Sequence, residues 1–420
     1  MCQFLENDIE GIEGDEWLKN ENLEEKFKLR GLFVSFRHGE RSSFSKINDE
    51  IGCRAHREID RKNFEKYKEL VNSEDFQTFL KVVPALSTWP KFPEDEKCSS
   101  GQLTAEGALQ HVKLGKFFRK QYAKSSLFTE DMENMKTRIV TSKYNRTFQS
   151  VLAFSSEFFF KQRNHFLPIT IKASNHSFQC VDQFCNCKLA KKMRIKYYEQ
   201  QHLEYFENLL KNDRILREET EFVQSFDDFS SSSDPFKIID VALGKYICRR
   251  KPLPCKNEKC LTNDYLNKLI DITTLRGQKM YNSSGISKRL HLLEAWPVLS
   301  YLKMALEKMR VKSEKNYIRV FSGHDVLIAP LLRVLGIPFV DPPHYTSRLV
   351  FEIYEHSEEG LFIRVLFNGF NRSADVSFCN ENNLKFGMCR ASAFETFMQE
   401  NLYFGQIGVE NFSQACEIPE

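Results

Sequence analysis

Apolar and polar residues follow two different periods along the chain, and together these predict an α/β protein. Residue 31 begins a short apolar run that predicts a buried strand, and runs rich in β-branched residues at 137–142 and 316–321 predict two more. Other apolar residues recur at helical spacing, with Thr104 in the position of an N-cap and Gly336 in that of a C-cap. Strands separated by helices favour a sheet that is covered by helices.

Local amino-acid composition predicts an N-terminal arm, a core and a cap. Residues 1–28 are polar and predict a poorly ordered N-terminal arm. Residues 166–289 contain six cysteines, long basic and polar helical stretches and a serine-rich loop, which predict an inserted, mostly helical, cysteine-rich cap. The segments 29–165 and 290–420 contain the predicted strands and form an α/β core. In the second segment, RLVFEIYE and LFIRVLFNG are joined by a short loop, which predicts a hairpin.

Charged side chains follow three of the predicted strands. In α/β sheets, ligands bind outside the carboxyl ends of the strands, so we expect these side chains to share a site. The candidates are Arg37, His38 and Arg41 after the first strand, Arg146 after the second, and His324 and Asp325 after the third. Taken one at a time, they would equally fit surface charges, a core histidine or the start of a helix. Only their grouping favours a site.

Three arginines, two histidines and one carboxylate form a set suited to a phosphoryl group. The planar guanidinium binds two oxygens at once, and three of them would overcharge a site made for a carboxylate. A neutral histidine can attack phosphorus and an aspartate can protonate the leaving oxygen, so this chemistry needs no metal and no cofactor. The Cys-x5-Arg and P-loop patterns of other phosphate-binding proteins are missing from the sequence.

Net charge bears on the choice of partner, and cysteine content bears on the cellular compartment. The formal net charge is only +3, so no overall field favours a nucleic-acid partner. Twelve cysteines, with sequons that begin at Asn145, Asn175, Asn282, Asn371 and Asn411, favour an oxidising, glycosylating compartment. The acidic N-terminal segment lacks an apolar leader, and no stretch is long enough to span a bilayer. We expect a secretory protein whose leader or anchor lies outside this sequence, with a cytoplasmic protein as the alternative.

The cysteines and the basic residues of the predicted cap each have two interpretations. Cys185 with Cys187, and Cys255 with Cys260, would fit metal ligands, but paired histidines at zinc-finger spacing are missing, so disulfides are favoured. Six cysteines allow 15 pairings among themselves, and the sequence does not choose one. The local basic charge predicts a solvated helix face or, as the alternative, attraction of an acidic polysaccharide.

The motifs around the candidate residues resemble those of a known family. RHGER and SGHD, with GQLTAEG and SKYNRTFQS between them, resemble the histidine acid phosphatases in the same order, over roughly residue 31 to the C-terminus. This resemblance implies a three-layer α/β/α sandwich core with a smaller, mostly helical domain set into it. It implies that His38 is a nucleophile that becomes phosphohistidine and that Asp325 is the proton donor. The residues that it implies for binding phosphoryl oxygens are Arg37, Arg41, Arg146 and His324.

A narrower resemblance concerns the substrate. CSSGQLTAEGALQHVKLG, FCNCKLAKK and SGHDVLIAPLLRVLGI are similar to a Golgi branch of the family that acts on phosphorylated xylose in the glycosaminoglycan–protein linkage region. This implies a Golgi-lumenal enzyme with a phosphorylated sugar or glycan as substrate and glycosyltransferases as candidate partners. The alternatives are a general acid phosphatase, an inositol-phosphate phosphatase, and a catalytically weak relative that binds a phosphosugar or a glycosyltransferase.

Two positions depart from the family pattern. Ser43 replaces a proline that would stiffen the loop after Arg41, and its presence predicts a looser arginine. Leu327 replaces a threonine and removes a hydroxyl near the proton donor. We expect both changes to affect substrate choice and rate more than the type of reaction. A glycan on Asn145 would crowd Arg146, so we expect that sequon to be unused.

Overall fold

The computed structural model describes residues 2–44, 53–129, 135–174, 187–195, 200–230, 234–283, 285–311, 316–400 and 412–417. The strands are β1 (Phe27–Arg37), β2 (Leu80–Val82), β3 (Met135–Ser142), β4 (Ile169–Ser174), β5 (Cys255–Lys256), β6 (Lys259–Cys260), β7 (Asn316–Gly323), β8 (Arg348–His356), β9 (Gly360–Phe367), β10 (Phe370–Asn371), β11 (Leu384–Lys385) and β12 (Met388–Arg390). In the described residues these form one large sheet in the order β11-β12-β9-β8-β1-β7-β3-β4-β2, with β10 beside β9, and a separate β5–β6 hairpin.

Helices connect and cover the strands. They are α1 (Glu16–Asn20), α2 (Glu58–Asn72), α3 (Glu74–Phe79), α4 (Ala105–Tyr122), α5 (Ser126–Thr129), α6 (Asn145–Phe158), α7 (Lys188–Met193), α8 (Gln200–Asn212), α9 (Arg214–Gln224), α10 (Pro235–Val241), α11 (Asn263–Ser283), α12 (Gly285–Arg310), α13 (Asp325–Leu335), α14 (Ala391–Gln399) and α15 (Phe412–Glu417). Within the described ranges, no helix is both long and apolar enough to cross a membrane.

Strand β1 lies at the junction of a parallel and an antiparallel half of the sheet. It pairs in parallel with β7, and β7, β3, β4 and β2 continue in parallel. On its other side it pairs antiparallel with β8, which forms the predicted hairpin with β9. The carboxyl ends of the parallel strands therefore meet at one edge, where ligands bind in sheets of this type.

Successive side chains of β1 pack against opposite layers of helices. Leu32, Val34 and Phe36 are fully buried in a cluster with apolar residues of α4 and α6. Phe33 is fully buried on the other face, in a cluster with α12, α13 and α14. A strand buried on both faces carries a continuous apolar run, which is the pattern that predicted it. The three-layer α/β/α prediction is confirmed.

A third buried cluster is built from the predicted cap. It joins apolar residues of α8, α9, α10 and α11, and it also includes Tyr345 from the loop before β8. Strand β4 lies inside the range predicted for the cap, yet it pairs with β3 and β2. The sheet therefore continues past residue 166, because a parallel strand buried between neighbours leaves little periodic signal. The wider division of the chain into core and cap stays a prediction.

The N-terminal segment, expected to be poorly ordered, instead packs on the sheet. The backbone N–H of Gly14 donates to Glu352 at 2.6 Å. Glu13 is 2 % exposed and forms a 2.5 Å ion pair with Arg348. Composition alone was misleading here, because these polar groups have buried partners more than 300 residues away in the chain.

Two of the five described disulfides link parts of the chain that are more than 200 residues apart. The five are Cys2–Cys248, Cys53–Cys98, Cys187–Cys416, Cys255–Cys260 and Cys379–Cys389. None of the 15 pairings counted for the six cysteines of the predicted cap is the observed one, because two of them bond to cysteines outside it. Cys180 and Cys185 lie outside the described residues. The disulfide interpretation is preferred over metal ligation for the cysteines that the structure describes.

We expect thiol alkylation without reductant to label at most two of the twelve cysteines in protein from a secretory host. Ten cysteines are held in the five described disulfides, and such bonds persist in an oxidising compartment. Intact mass with and without reductant measures the number labelled. As the control, the reduced and unfolded chain should add label at all twelve. Labelling of three or more cysteines in the unreduced protein would contradict the pairing.

Candidate active site

The register of the parallel strands brings the predicted residues together. Arg37 at the end of β1 lies beside Gly323 at the end of β7. A histidine directly follows each of these strands, and the ring centroids of His38 and His324 are 5.4 Å apart. Arg146, on the first turn of α6 after β3, reaches the same point, since its guanidinium lies 3.3 Å from His324.

His38 is buried and neutral. It is 2 % exposed, and its backbone N–H donates to the carbonyl of Gly323 at 2.9 Å. Its Nδ1 lies 2.8 Å from the carbonyl of Gly39. Because a carbonyl only accepts, Nδ1 carries the proton and Nε2 keeps its lone pair. Burial, followed by the charges of Arg146 and Arg37, lowers the pKa of His38 well below its usual value, so the imidazole is in the form needed for nucleophilic attack.

The three predicted arginines supply the positive charge of the site. Each has a buried Nε–H group with no hydrogen-bond partner among the residues that the structure describes. Arg37 forms a 3.7 Å ion pair with Asp325 and lies 4.7 Å from the ring centroid of Tyr345. Burial, then the charge of Arg41, lowers the pKa of Arg146 to about 10. Buried donors and clustered positive charge together favour an anion with several acceptor oxygens.

The orientation of His324 is fixed by two contacts. Its Nδ1 lies 3.3 Å from the guanidinium of Arg146, and its Nε2 lies 2.9 Å from the hydroxyl of Ser142. Because arginine only donates, Nδ1 accepts and Nε2–H donates to Ser142. Burial, then Arg146, lowers the pKa of His324 well below its usual value, so this ring is also neutral. Ser142, the last residue of β3, was not among the predicted site residues.

Asp325 is the acidic group of the site. It is the first residue of α13, its side chain is 39 % exposed, and its Oδ1 accepts from the N–H of Val326 at 3.0 Å. Burial acts to raise the pKa of Asp325, but the charges of Arg37 and Arg41 lower it to about 2. The free protein therefore carries this carboxylate ionised.

We expect the fall of kcat/KM at high pH, the basic limb of its pH profile, to follow the ionisation of the substrate. Asp325 and His38 have low pKa values and are already deprotonated in the free protein. A phosphomonoester monoanion must then bring the proton, and since its second pKa is about 6, kcat/KM should be flat below that pH and fall about tenfold per unit above it.

Two esters with different second pKa values show whether the substrate or a group of the protein sets the fall of kcat/KM at high pH. Steady-state rates from about pH 4 to 8 should give a basic limb that moves with the pKa of the ester. A limb at the same pH for both esters would mean that a group of the protein sets it.

Asp240, on α10, is a site residue that the sequence did not reveal. Its carboxylate lies 2.6 Å from the guanidinium of Arg41. It also accepts from the hydroxyl of Ser43 at 3.1 Å and from the N–H of Phe44 at 2.9 Å. Hydrogen bonds to Asp240 therefore hold the loop at the position where the family pattern has a proline, and the looser Arg41 stays a prediction.

We expect Asp240→Ala to lower kcat/KM for p-nitrophenyl phosphate by about thirtyfold, since breaking a buried charge pair typically costs several kcal/mol and frees the arginine from its productive orientation. Ser43→Ala is the matched control, because it removes only one of the three contacts and should cost about threefold or less. An unchanged or increased kcat/KM in Asp240→Ala would mean that Asp240 competes with the substrate for Arg41.

Tyr345 also reaches the site from the loop before β8. It is 3 % exposed, and its ring centroid lies 5.9 Å from that of His38. The neighbouring N–H of Thr346 donates to the carbonyl of His38 at 3.2 Å. The carbonyl of Pro343 accepts from Arg37. This loop therefore fixes the backbone and side chains at the end of β1, although its sequence carries no charged motif that would have revealed it.

Glu40 connects the loop after β1 to neighbouring parts of the protein. It is 1 % exposed, it accepts from the hydroxyl of Thr104 at 3.2 Å, and it lies 3.5 Å from Arg249. Burial raises the pKa of Glu40 to about 8, against the opposing effect of Arg249. These partners belong to the start of α4 and to the predicted cap rather than to the reacting groups, so Glu40 joins the loop to its surroundings.

The remaining predicted positions lie beside the site. Leu327 is fully buried in the core cluster of α12 and α13, so its side chain contributes packing and no polar contact. Asn145 is exposed at the first residue of α6, directly before Arg146. The expectation that this sequon is unused stays a prediction.

Comparison with known proteins finds relatives that match most of the chain. A model of the histidine phosphatase superfamily (branch 2) matches residues 28–368. The "2-phosphoxylose phosphatase 1" of Danio rerio is 25% identical over 366 residues, which are 79% of this chain and 70% of that protein. The "2-phosphoxylose phosphatase 1" of Homo sapiens is 24% identical over 402 residues, which are 93% of this chain and 81% of that protein.

Solved structures agree with the fold. The multiple inositol polyphosphate phosphatase of Bifidobacterium longum, in complex with inositol hexasulfate, superposes with a TM-score of 0.56 at 12% identity and covers 91% of this chain and 94% of its own. The Hafnia alvei phytase with tartrate has a TM-score of 0.53 at 14% identity, covering 94% and 99%. These likenesses concern the fold alone, whereas the family match spans most of the chain. The chain belongs to branch 2 of the histidine phosphatase superfamily and is a phosphatase.

Proposed function

We propose that this phosphatase hydrolyses phosphomonoesters through a phosphohistidine on His38. The observation that carries the proposal is the grouping of a neutral, buried imidazole with three arginines whose buried Nε–H groups lack partners among the described residues. A phosphoryl group has the charge and the acceptor oxygens to satisfy these donors. No metal or cofactor is needed, because the arginines supply the positive charge.

The proposed reaction has two displacements. In the first, Nε2 of His38 attacks phosphorus, and the bond from phosphorus to the ester oxygen breaks as the new bond forms. Asp325 takes a proton from the substrate monoanion and gives it to the departing alcohol. In the second, water attacks phosphorus, the bond to His38 breaks, and Asp325 passes the proton of that water to the phosphate that leaves. The Nδ1–H bond to Gly39 steadies the positive imidazole between the two steps.

The arginines act on the charge that spreads over the phosphoryl oxygens. Arg37, Arg41 and Arg146 each bind these oxygens and hold them in both displacements. Both nitrogens of His324 are engaged in the free protein. On binding, Arg146 turns its N–H from His324 to an oxygen. His324 then changes tautomer through solvent, losing the proton on Nε2 and gaining one on Nδ1. Its Nδ1–H donates to a second oxygen, and the hydroxyl of Ser142 donates to Nε2.

We further propose that the physiological ester is xylose 2-phosphate in the glycosaminoglycan–protein linkage region. Support comes from relatives named 2-phosphoxylose phosphatase 1. They match this chain over most of their own length at 24–25% identity. Five disulfides fit an oxidising compartment, so we propose the Golgi lumen or another part of the secretory pathway. Glycosyltransferases of the linkage region are the proposed partners.

A substrate panel tests this proposal. The purified protein is given a linkage tetrasaccharide that carries 2-phosphoxylose, together with inositol hexakisphosphate, glycerol 2-phosphate and p-nitrophenyl phosphate, and kcat/KM is measured for each. We expect the tetrasaccharide to exceed the inositol and glycerol esters by at least about tenfold, the selectivity that a few specific contacts provide. Equal or higher values for inositol hexakisphosphate would replace xylose by an inositol phosphate. Inactivity on every ester would contradict the phosphohistidine mechanism.

A further inference from the structure

Two exposed aromatic rings lie at the mouth of the site and have no part in the reaction steps. Phe44 is 56 % exposed and Tyr144 is 47 % exposed. The guanidinium of Arg146 lies 5.6 Å from the ring centroid of Phe44 and 4.7 Å from that of Tyr144. Phe44 also lies 3.8 Å from the guanidinium of Arg41, and Tyr144 lies 4.8 Å from the ring of His324. Both rings contact phosphate-binding groups and keep about half of their surface open.

The ring of Phe44 is held in place by its surroundings. Its backbone N–H donates to Asp240 at 2.9 Å, and its carbonyl accepts from the hydroxyl of Ser100 at 2.7 Å. The ring packs against the backbone of Gly101, where an added Cβ would lie 2.6 Å from it, and the φ of +67° also favours glycine. A ring that is already fixed loses little conformational entropy when it binds a ligand.

Tyr144 is held in a similar way at the start of α6. Its backbone N–H donates to the carbonyl of Ser142 at 2.9 Å. Its carbonyl accepts from the hydroxyl of Thr147 at 2.9 Å and from the N–H groups of Thr147 and Phe148 at 3.1 Å. Two rings, each carried on a backbone that is held by hydrogen bonds, therefore border the same guanidinium.

The position of the rings matches that of a leaving group. A single exposed apolar side chain needs no explanation, but two rings around one phosphate-binding arginine form a small apolar surface beside a polar centre. The leaving oxygen has to lie near Asp325, and Tyr144 contacts the preceding residue, His324. A pyranose with equatorial hydroxyls presents flat faces of C–H groups, which pack on aromatic rings, whereas an acyclic alcohol has no such face.

We propose that Phe44 and Tyr144 are specificity-determining residues that bind the ring of a cyclic alcohol leaving group. They make the site prefer phosphate esters of pyranoses and other six-membered rings over acyclic esters. This inference rests on the proposed function, because it takes the phosphoryl group to lie among Arg41, Arg146 and His38. It is separate from the identity of the sugar, since any six-membered ring presents comparable faces.

Matched secondary esters test the preference. The cyclic substrates are methyl β-xylopyranoside 2-phosphate and cyclohexyl phosphate, and the acyclic one is glycerol 2-phosphate. Phe44→Leu and Tyr144→Leu are compared with Phe370→Leu, which changes an equally exposed phenylalanine on β10, 57 % exposed. We expect each site variant to lower kcat/KM for both cyclic esters by about three- to tenfold, the range of a lost aromatic contact.

Inorganic phosphate separates binding of a ring from placement of the arginines. In the site variants, the inhibition constant of inorganic phosphate and kcat/KM for glycerol 2-phosphate should stay within about twofold of the Phe370→Leu values. Equal losses on all three esters, with weaker phosphate inhibition, would mean that the rings position Arg41 and Arg146, and would overturn the proposal. Unchanged kcat/KM for the cyclic esters would overturn it as well. A wild-type protein that cleaves cyclohexyl phosphate but no xyloside would overturn the xylose substrate and leave the ring preference standing.

Discussion

His38→Ala is expected to abolish turnover of every phosphomonoester, whether its leaving group is good or poor. The imidazole is the proposed nucleophile, and Nε2 is the nitrogen whose lone pair is free of the bond to Gly39. Loss of a nucleophile that acts together with its surroundings typically costs about 10⁴- to 10⁶-fold in kcat. Steady-state rates with p-nitrophenyl phosphate and an alkyl phosphate measure the loss, which should be equally complete for both.

Two controls show whether the variant has lost only its nucleophile. Inorganic phosphate should still bind and raise the melting temperature of His38→Ala, because Arg37, Arg41 and Arg146 are unchanged. Wild-type protein quenched during turnover of a phosphate-labelled ester should carry label that is stable to base and labile to acid, as expected of phosphohistidine, and the variant should carry none. Residual turnover with labelled protein would point to another histidine, and His324 would be the next one to change.

Much of the fold could be predicted because its signals are local. The apolar run of β1, the N-cap Thr104 and the C-cap Gly336 appear in the structure as expected, with Thr104 accepting from an N–H of α4 at 3.0 Å and Gly336 at φ +77°. A strand buried on both faces has to be apolar throughout, and a helix end has to satisfy its free backbone groups. Such requirements can therefore be recognised from a few neighbouring residues of the sequence.

The site was predictable only in part, because some of its residues come from segments without a chemical motif. Arg37 ends β1, and His38 and His324 follow two strands that pair in register, so the order along the chain fixes their proximity. Asp240 and Tyr345 reach the same place from a helix and a loop whose docking depends on long-range packing. Nothing within ten residues of either one distinguishes it from a surface carboxylate or a core tyrosine.

The cysteine pairs show the same limit. Counting cysteines predicted disulfides, because oxidised pairs are common in secreted chains. The partner of Cys248 is Cys2, 246 residues away, and that of Cys187 is Cys416, 229 residues away. Only the three-dimensional path of the chain brings these sulfurs together, whereas the Cys255–Cys260 pair closes a hairpin of its own.

Asp325→Ala is expected to impair esters of poor leaving groups far more than esters of good ones. The carboxylate is 39 % exposed at the start of α13, where it can reach a leaving oxygen. A sugar hydroxyl leaves only with a proton, and general acid catalysis is typically worth about 10² to 10⁴ in rate. Nitrophenolate leaves readily without one. We therefore expect kcat/KM for methyl β-xylopyranoside 2-phosphate to fall by that factor, and kcat/KM for p-nitrophenyl phosphate to fall by about tenfold or less.

The comparison of two substrates removes an ambiguity that a single rate would leave. Asp325 also forms an ion pair with Arg37, so its loss changes the charge around the phosphoryl group. That change acts equally on both esters and cancels in the ratio of their kcat/KM losses, which report the first bond-breaking step. Proton donation does not cancel, because only the sugar ester depends on it. The nitrophenyl ester should also give a burst of phenolate in the variant, if hydrolysis of phosphohistidine becomes slower than its formation. Equal losses on both esters would show that Asp325 is not the proton donor, since an electrostatic role alone predicts that result.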